Sequence, residues 1–158
     1  MIIKEIDILE QIITSEKSKH KSVLIKKGVF DIIHPGHIYA ISEFKKKADI
    51  VIILIQCDEF TRLKKGTGRP INSQLQRAMV VDGIKGVDYV YLDKSLSREE
   101  YINTLEYIQP SILAVTSIDK DKTKAYSGYS WKLMQFPDKK KPGFSTTEII
   151  EKVRKNHS

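Results

Sequence analysis

The feature that most restricts the fold is an uninterrupted run of six apolar residues from Ile50 to Ile55. A strand with one wet face alternates apolar and polar residues, whereas an unbroken run is typical of a strand covered on both faces. The run is also far shorter than the roughly 18–20 residues of a membrane-spanning helix. We therefore expect an interior strand of a mainly parallel sheet, and no membrane span.

Strand and helix patterns alternate along the rest of the chain, which is typical of a parallel sheet with helices on both faces. We therefore predict an α/β fold, a Rossmann-like, doubly wound, mainly parallel sheet of five strands. The 158 residues fit a single domain, with a leading helix within residues 1–20 and a closing helix within 143–158. The first expected strand begins at 23–25 and runs toward 28–30. The other expected strands lie at 50–55, 87–92, 111–115 and 131–136; the expected helices lie at 5–15, 37–48, 74–85, 98–108 and from 145 onward; a polar loop is expected at 61–73.

The charge of the chain points to an anionic partner. Its 27 basic and 20 acidic residues give a net charge of +7, which suits nucleic acid, a membrane surface or phosphorylated small molecules. A lysine-rich solvated surface explains most of this excess, and composition does not choose among the partners. The lone Cys57 forms no internal disulfide and the N-terminus lacks the order of a signal peptide, so we expect a cytoplasmic protein.

Two histidines form the most informative local pattern. His34 and His37 flank Pro35 and Gly36, between the end of a predicted strand and the start of a helix. The free N–H groups and the dipole of a helix start favour anions, and a glycine there lets a phosphate approach the backbone. Two imidazoles are a poor metal site when no cysteine or third histidine lies nearby in the sequence. The pattern therefore favours phosphate binding.

The segment from Gly28 to His37 resembles the G-x-F-D-x-x-H-x-G-H signature of the cytidylyltransferase-like nucleotidyltransferases. The turn Gly-Phe-Ser-Thr-Thr-Glu at 143–148 resembles the Ser/Thr-rich second signature of that superfamily. Ser145 and Glu148 also form a capping box, which would explain the turn without a ligand.

A basic loop narrows the resemblance. Residues 61–72 are similar to the R-L-K-G…R-P-I-N stretch of bacterial ADP-heptose synthase adenylyltransferase domains, as are 76–77 and 87–90. The glycerol phosphate cytidylyltransferase branch matches less well overall. Two segments depart from the heptose enzymes: Lys26-Lys27-Gly28 replaces T-N-G, and 116–120 replaces K-G-G-D-Y. The donor, ATP or CTP, and the acceptor substrate therefore stay open.

The resemblance implies roles for the matching residues. His34 and His37 would contact the triphosphate, with His37 stabilising the charge at the reacting α-phosphate, and Lys64 would bridge the phosphates of the two substrates. Phosphate oxygens would be held by Arg77, Ser145, Thr146 and Thr147. Asp31 would orient a histidine or a Mg²⁺-bound water, whereas Asp88 either contacts the nucleotide or simply starts a strand. The implied catalytic residues are His34, His37, Lys64 and Arg77; the implied nucleotide-binding residues are Gly28, Val29, Phe30, Asp31, Gly36, Asp88, Ser145, Thr146 and Thr147; the implied substrate-binding residues are Lys65, Arg69 and Asp119.

The implied reaction joins a nucleoside triphosphate, with ATP favoured, to a sugar phosphate or polyol phosphate and releases pyrophosphate. Mg²⁺ is expected as a cofactor held by substrate phosphates and water rather than by direct protein ligands, and the resemblance implies a homodimer. The alternatives are a cytidylyltransferase that uses CTP with glycerol phosphate or a similar alcohol phosphate, and a non-catalytic nucleotide-binding module. We expect no nucleic acid as partner, because a nucleic-acid-binding protein would not need the histidine motif. We also expect no membrane as partner.

Overall fold

The computed structural model describes residues 1–115, 124–136 and 146–156, and within these residues one sheet of six strands carries the fold. The strand order is β1-β4-β3-β2-β5-β6, and every neighbouring pair is parallel. The strands are β1 (Ile2–Ile3), β2 (Val23–Gly28), β3 (Ile50–Ile55), β4 (Tyr89–Leu92), β5 (Ile112–Val115) and β6 (Lys132–Gln135). The helices are α1 (Ile6–Ser18), α2 (Pro35–Lys45), α3 (Asp58–Lys65), α4 (Gln74–Asp82), α5 (Arg98–Ile108) and α6 (Thr146–Asn156).

The predicted Rossmann-like α/β architecture is confirmed, with six strands instead of five. The additional strand, β1, has only two residues and pairs with β4 at the edge of the sheet. A two-residue strand has no periodicity, so the sequence pattern did not mark it. The loop predicted at 61–73 is wrong in its first part, because α3 continues to Lys65. The helix places acidic residues in its first turn and basic residues in its last, which suits the helix dipole.

The apolar run 50–55 forms the central strand β3, and all six residues are buried. Alternate side chains enter two separate cores, as expected for a strand covered on both faces. Ile50, Ile52 and Leu54 pack toward α1 and α5, whereas Val51, Ile53 and Ile55 pack toward α2 and α4. No helix in the described ranges is long and apolar enough to cross a membrane.

The topology places a crevice at the carboxyl ends of the central strands. Strand β2 lies between β3 and β5, so the chain leaves β2 toward one side of the sheet and later returns on the other. In doubly wound sheets this reversal is where ligands bind. The histidine segment follows β2 directly, so the fold carries it to this crevice.

Candidate active site

The histidine pair lies at the N-terminus of α2, as the sequence predicts. His34 is the extended residue before the first turn, and Pro35 occupies the first helical position, where a missing N–H is harmless. The His37 backbone N–H donates to the His34 carbonyl at 2.9 Å, and the His34 N–H faces His37 Nδ1 at 3.4 Å. The two rings stack with their centroids 3.8 Å apart. Both imidazoles therefore share the helix end that also offers free backbone donors.

Positive charge surrounds this pair. Burial, followed by the charges of His34, Lys65 and Lys26, lowers the pKa of His37 from 6.5 to about 4. At neutral pH the imidazole of His37 is therefore uncharged. The same neighbours that oppose its protonation stabilise an anion placed beside it.

The turn between β2 and α2 explains the glycine of the motif. Phe30 adopts a left-handed backbone with φ of 53°, and its ring folds back over Gly28. A Cβ on Gly28 would lie 2.6 Å from Phe30 Cε2, so a larger residue there would displace the Phe30 ring. The Phe30 ring also lies 5.0 Å from the His37 ring, centroid to centroid. Gly28 and Phe30 thus shape the turn, and Gly36 lies in the first turn of α2.

Asp31 anchors the basic loop to the histidine segment. Its carboxylate accepts hydrogen bonds from Arg69 Nε at 2.8 Å and from the backbone of Ile71 and Asn72 at 2.9 and 3.0 Å. Burial alone would raise the pKa of Asp31, but the Asn72 and Ile71 N–H groups and Arg69 outweigh it and lower the pKa. In the structure Asp31 therefore positions the loop and holds Arg69 at the site, while the role toward a histidine or a metal-bound water stays a prediction.

Arg77 takes a different place from the one predicted. It is 1% exposed, and its guanidinium donates to Asn72 O at 3.0 Å, Gln56 O at 2.7 Å and Asp58 Oδ1 at 2.6 Å, and also to Val29 O. These contacts join the segments that follow β2 and β3 to the basic loop. The predicted direct contact with phosphate is wrong for this geometry, because the donors face the protein.

Asp88 lies at the opposite end of the strands from the histidine pair. Its carboxylate accepts from the Val51 N–H and from Lys45 Nζ, each at 2.7 Å. Val51 is near the start of β3 and Lys45 ends α2, so Asp88 sits at the amino ends of the strands. The predicted nucleotide contact is therefore wrong, and the alternative that Asp88 precedes a strand is the one the structure supports.

The two distant signatures meet at the crevice. Thr146 Oγ1, in the first turn of α6, donates to the Ile32 carbonyl at 3.3 Å, and Thr147 beside it is exposed. Lys64 and Lys65 occupy the last turn of α3. Burial and the charge of Arg69 lower the pKa of Lys65, while Asp31 opposes this. Ser145 and Asp119, also predicted as site residues, lie outside the described residues.

A cavity of about 210 Å³ opens beside the histidine crevice, at the carboxyl ends of β2 and β5. Its described lining includes four basic side chains and no acidic one. Sequence reasoning assigned a role only to Lys64 among them, although the Lys26-Lys27 departure from T-N-G was a signal. The basic lining residues are Lys26, Lys27, Lys64 and Arg98. Within the described ranges, no cluster of three or more His, Cys, Asp or Glu side chains forms a metal site.

Known proteins resemble this chain over most of its length. A family model described as cytidylyltransferase-like matches residues 25–152. The bifunctional protein HldE of Campylobacter jejuni subsp. doylei is 31% identical over 153 residues, which is 96% of this chain and 32% of that protein. HldE of Marinomonas sp. is 32% identical over 155 residues, covering 93% of this chain and 30% of that protein. The chain thus spans about a third of the length of these relatives.

Solved structures share the fold. A lipopolysaccharide core biosynthesis protein from Thermoplasma volcanium superposes with a TM-score of 0.60 at 23% identity, over 73% of this chain and 96% of that one. A pantoate-beta-alanine ligase from Francisella tularensis gives a TM-score of 0.66 at 15% identity, over 100% of this chain and 78% of that one. At these identities the likeness concerns the fold alone.

Replacing Arg77 with Met should lower the free energy of unfolding by about 3–5 kcal/mol, because it leaves Asp58 and buried carbonyls without their partner. Chemical denaturation measures the change. Arg62→Met, at an exposed position of α3, should stay within about 0.5 kcal/mol of the parent protein. A stable Arg77→Met protein that has lost only its affinity for triphosphate would instead show that Arg77 contacts the ligand.

Stability should fall as acid protonates the unfolded chain at His37. His37 titrates near pH 6.5 in the unfolded chain and near 4 in the folded protein. The contribution of His37 to the free energy of unfolding is therefore fully present above pH 6.5 and is lost as the pH falls toward 4. The loss is on the order of 3 kcal/mol. Denaturant titrations across this window should show a flatter pH dependence for His37→Asn than for the parent protein. The exposed-site variant His20→Asn should keep the parent slope; equal slopes for His37→Asn and the parent would contradict the assignment.

Proposed function

This chain belongs to the cytidylyltransferase-like family of nucleotidyltransferases, and on that premise we propose that it transfers a nucleoside monophosphate to a sugar phosphate or polyol phosphate. The observation that carries the proposal is the stacked His34–His37 pair at the start of α2, joined to the start of α6 through Thr146. ATP is the favoured donor, because the basic loop resembles that of adenylyltransferase domains and the curated relatives are HldE proteins.

The proposed reaction is an in-line displacement at phosphorus. A phosphate oxygen of the acceptor substrate attacks the α-phosphate of the triphosphate, the bond to the β-phosphate oxygen breaks, and pyrophosphate leaves. The second ionisation of a phosphate monoester lies near pH 6, so the nucleophile is already anionic and needs no general base. This agrees with a His37 whose pKa is about 4, since such a residue acts as an uncharged hydrogen-bonding partner.

The work left to the protein is to bring two anions together and to stabilise the departing charge. His34, His37 and the free N–H groups of α2 would hold the triphosphate. Lys65 and Arg69 add positive charge to the same crevice, and Lys64 lines the neighbouring cavity. Arg77 and Asp31 would act indirectly, by positioning these groups.

Magnesium fits this site as a companion of the triphosphate. Asp31, the carboxylate within the motif, is already engaged by Arg69 and two backbone N–H groups, so it is not offered to a metal. Mg²⁺ keeps several waters and binds readily through phosphate oxygens. We therefore expect Mg²⁺ to neutralise phosphate charge without a direct protein ligand. The homodimer implied by the family resemblance stays a prediction that sedimentation would test.

A pyrophosphate-release screen tests the reaction. ATP, CTP, GTP and UTP are each paired with heptose, glycerol, ribitol, ethanolamine and choline phosphates. Release with ATP and a sugar or polyol phosphate is expected; release with CTP and glycerol phosphate would select the cytidylyltransferase alternative. Triphosphate binding without release for any pair would favour a non-catalytic nucleotide-binding module.

The variant His37→Ala should reduce turnover by about 10²–10³-fold, because it removes one preorganised donor at the reacting phosphates. The measurement is kcat for the best pair in the screen, together with a melting curve that shows the variant is folded. His20→Ala, at an exposed position distant in sequence, is the matched control and should retain parent activity. Near-parent turnover of His37→Ala would refute its catalytic role.

A further inference from the structure

The cavity beside the histidine crevice is lined at its base by the charged side chain of Lys27. Along β2 successive side chains point to opposite faces, so Lys27 faces α5 while Lys26 faces the histidine side, although both lysines line the cavity at the end of the strand. The Lys27 side chain is only 10% exposed, and its Nζ lies 2.6 Å from Asp93 Oδ2. The cavity therefore differs from the histidine crevice, because the buried ammonium group of Lys27 lies at its base.

Two aromatic rings enclose that ammonium. Lys27 Nζ lies 4.3 Å from the centre of the Tyr101 ring and 5.3 Å from that of Phe60, and both rings line the cavity. Such aromatic faces attract cations and are the groups that recognise alkylammonium ligands. In this protein the Lys27 ammonium itself lies against these two aromatic faces.

Asp93 keeps Lys27 in place. Its second carboxylate oxygen accepts from Ser95 Oγ, its backbone N–H donates to Ile55 O at 3.0 Å, and its carbonyl accepts from Gln74 Nε2 at 2.8 Å. These hydrogen bonds hold the Asp93 carboxylate in a fixed position beside Lys27. An ammonium has three N–H donors, and Asp93 is its one charged partner among the described residues, so donors remain for a ligand.

From this geometry we propose that Lys27 determines the acceptor specificity of the enzyme. It admits phosphorylated sugars and polyols, whose hydroxyl oxygens accept hydrogen bonds from the ammonium, and it excludes phosphocholine and phosphoethanolamine, whose cationic heads it repels. A volume of about 210 Å³ equals roughly seven waters at ~30 Å³ each, which suits a small hydroxylated molecule. The inference rests on the proposed function for the identity of this cavity as the acceptor site.

Equilibrium binding tests the inference separately from turnover. Calorimetric titrations of the intact chain use glycerol 3-phosphate and ribitol 5-phosphate as polyol probes, and phosphoethanolamine and phosphocholine as aminoalcohol probes. The polyol probes should bind at least tenfold more tightly. Equal affinities, tighter binding of the aminoalcohols, or no binding of any probe would overturn the inference, whatever the pyrophosphate-release screen shows.

The variant Lys27→Met keeps the length of the side chain and removes its charge. It should weaken polyol phosphate binding by about 10- to 100-fold, the usual effect of losing a charged hydrogen bond, and should narrow the preference over phosphocholine. Because Asp93 would lose its partner, the double variant Lys27→Met/Asp93→Asn repeats the test without an unpaired buried charge. Lys94→Met, an exposed lysine outside the cavity lining, is the charge-matched control and should bind like the parent protein.

The outcomes separate the two proposals. If the folded double variant keeps the parent preference, Lys27 does not determine specificity, even when the enzyme releases pyrophosphate. If the preference depends on Lys27 but no pair releases pyrophosphate, the cavity assignment stands and the proposed reaction fails.

Discussion

The hydrogen bonds of the buried Arg77 guanidinium are the interaction on which the site depends. One side chain binds the carbonyls of Val29, Gln56 and Asn72 and the carboxylate of Asp58. The carbonyls belong to segments that leave two neighbouring parallel strands and to the basic loop. A planar cation with five donors in a fixed arrangement can satisfy several of them at once. Arg77 therefore fixes these segments relative to one another.

Ion pairs between acidic and basic side chains also determine the charge near the crevice and the cavity. The acidic residues nearest the two openings are each bound to a basic side chain, Asp31 to Arg69 and Asp93 to Lys27. The remaining positive charge of Lys26 and Lys65 acts on His37, whose pKa it helps to lower. A site with this balance of charge favours anions, and the proposed reaction between two phosphorylated substrates needs that more than it needs a base.

Much of the fold and part of the site could be predicted from local pattern. The unbroken apolar run specified β3, and the Pro-Gly pair specified the start of α2, because burial and backbone sterics act over a few residues. The predicted nucleotide contact of Asp88 was wrong because a residue within a family-like segment can lie at the amino or the carboxyl end of a strand. Only the position of the residue relative to the strand decides which end it occupies. Two-residue β1 escaped notice because its pairing with β4 is made across nearly ninety positions.

The sequence by itself determined the parallel α/β architecture and the helix start that carries His34 and His37, since each depends on steric or apolar properties of adjacent residues. Only the tertiary structure decided that Arg77 serves the protein rather than a phosphate, and that Lys27 lies between Asp93 and two aromatic rings. The direction of a long charged side chain is set by the oxygens and rings that surround it, and these come from segments far apart in the chain.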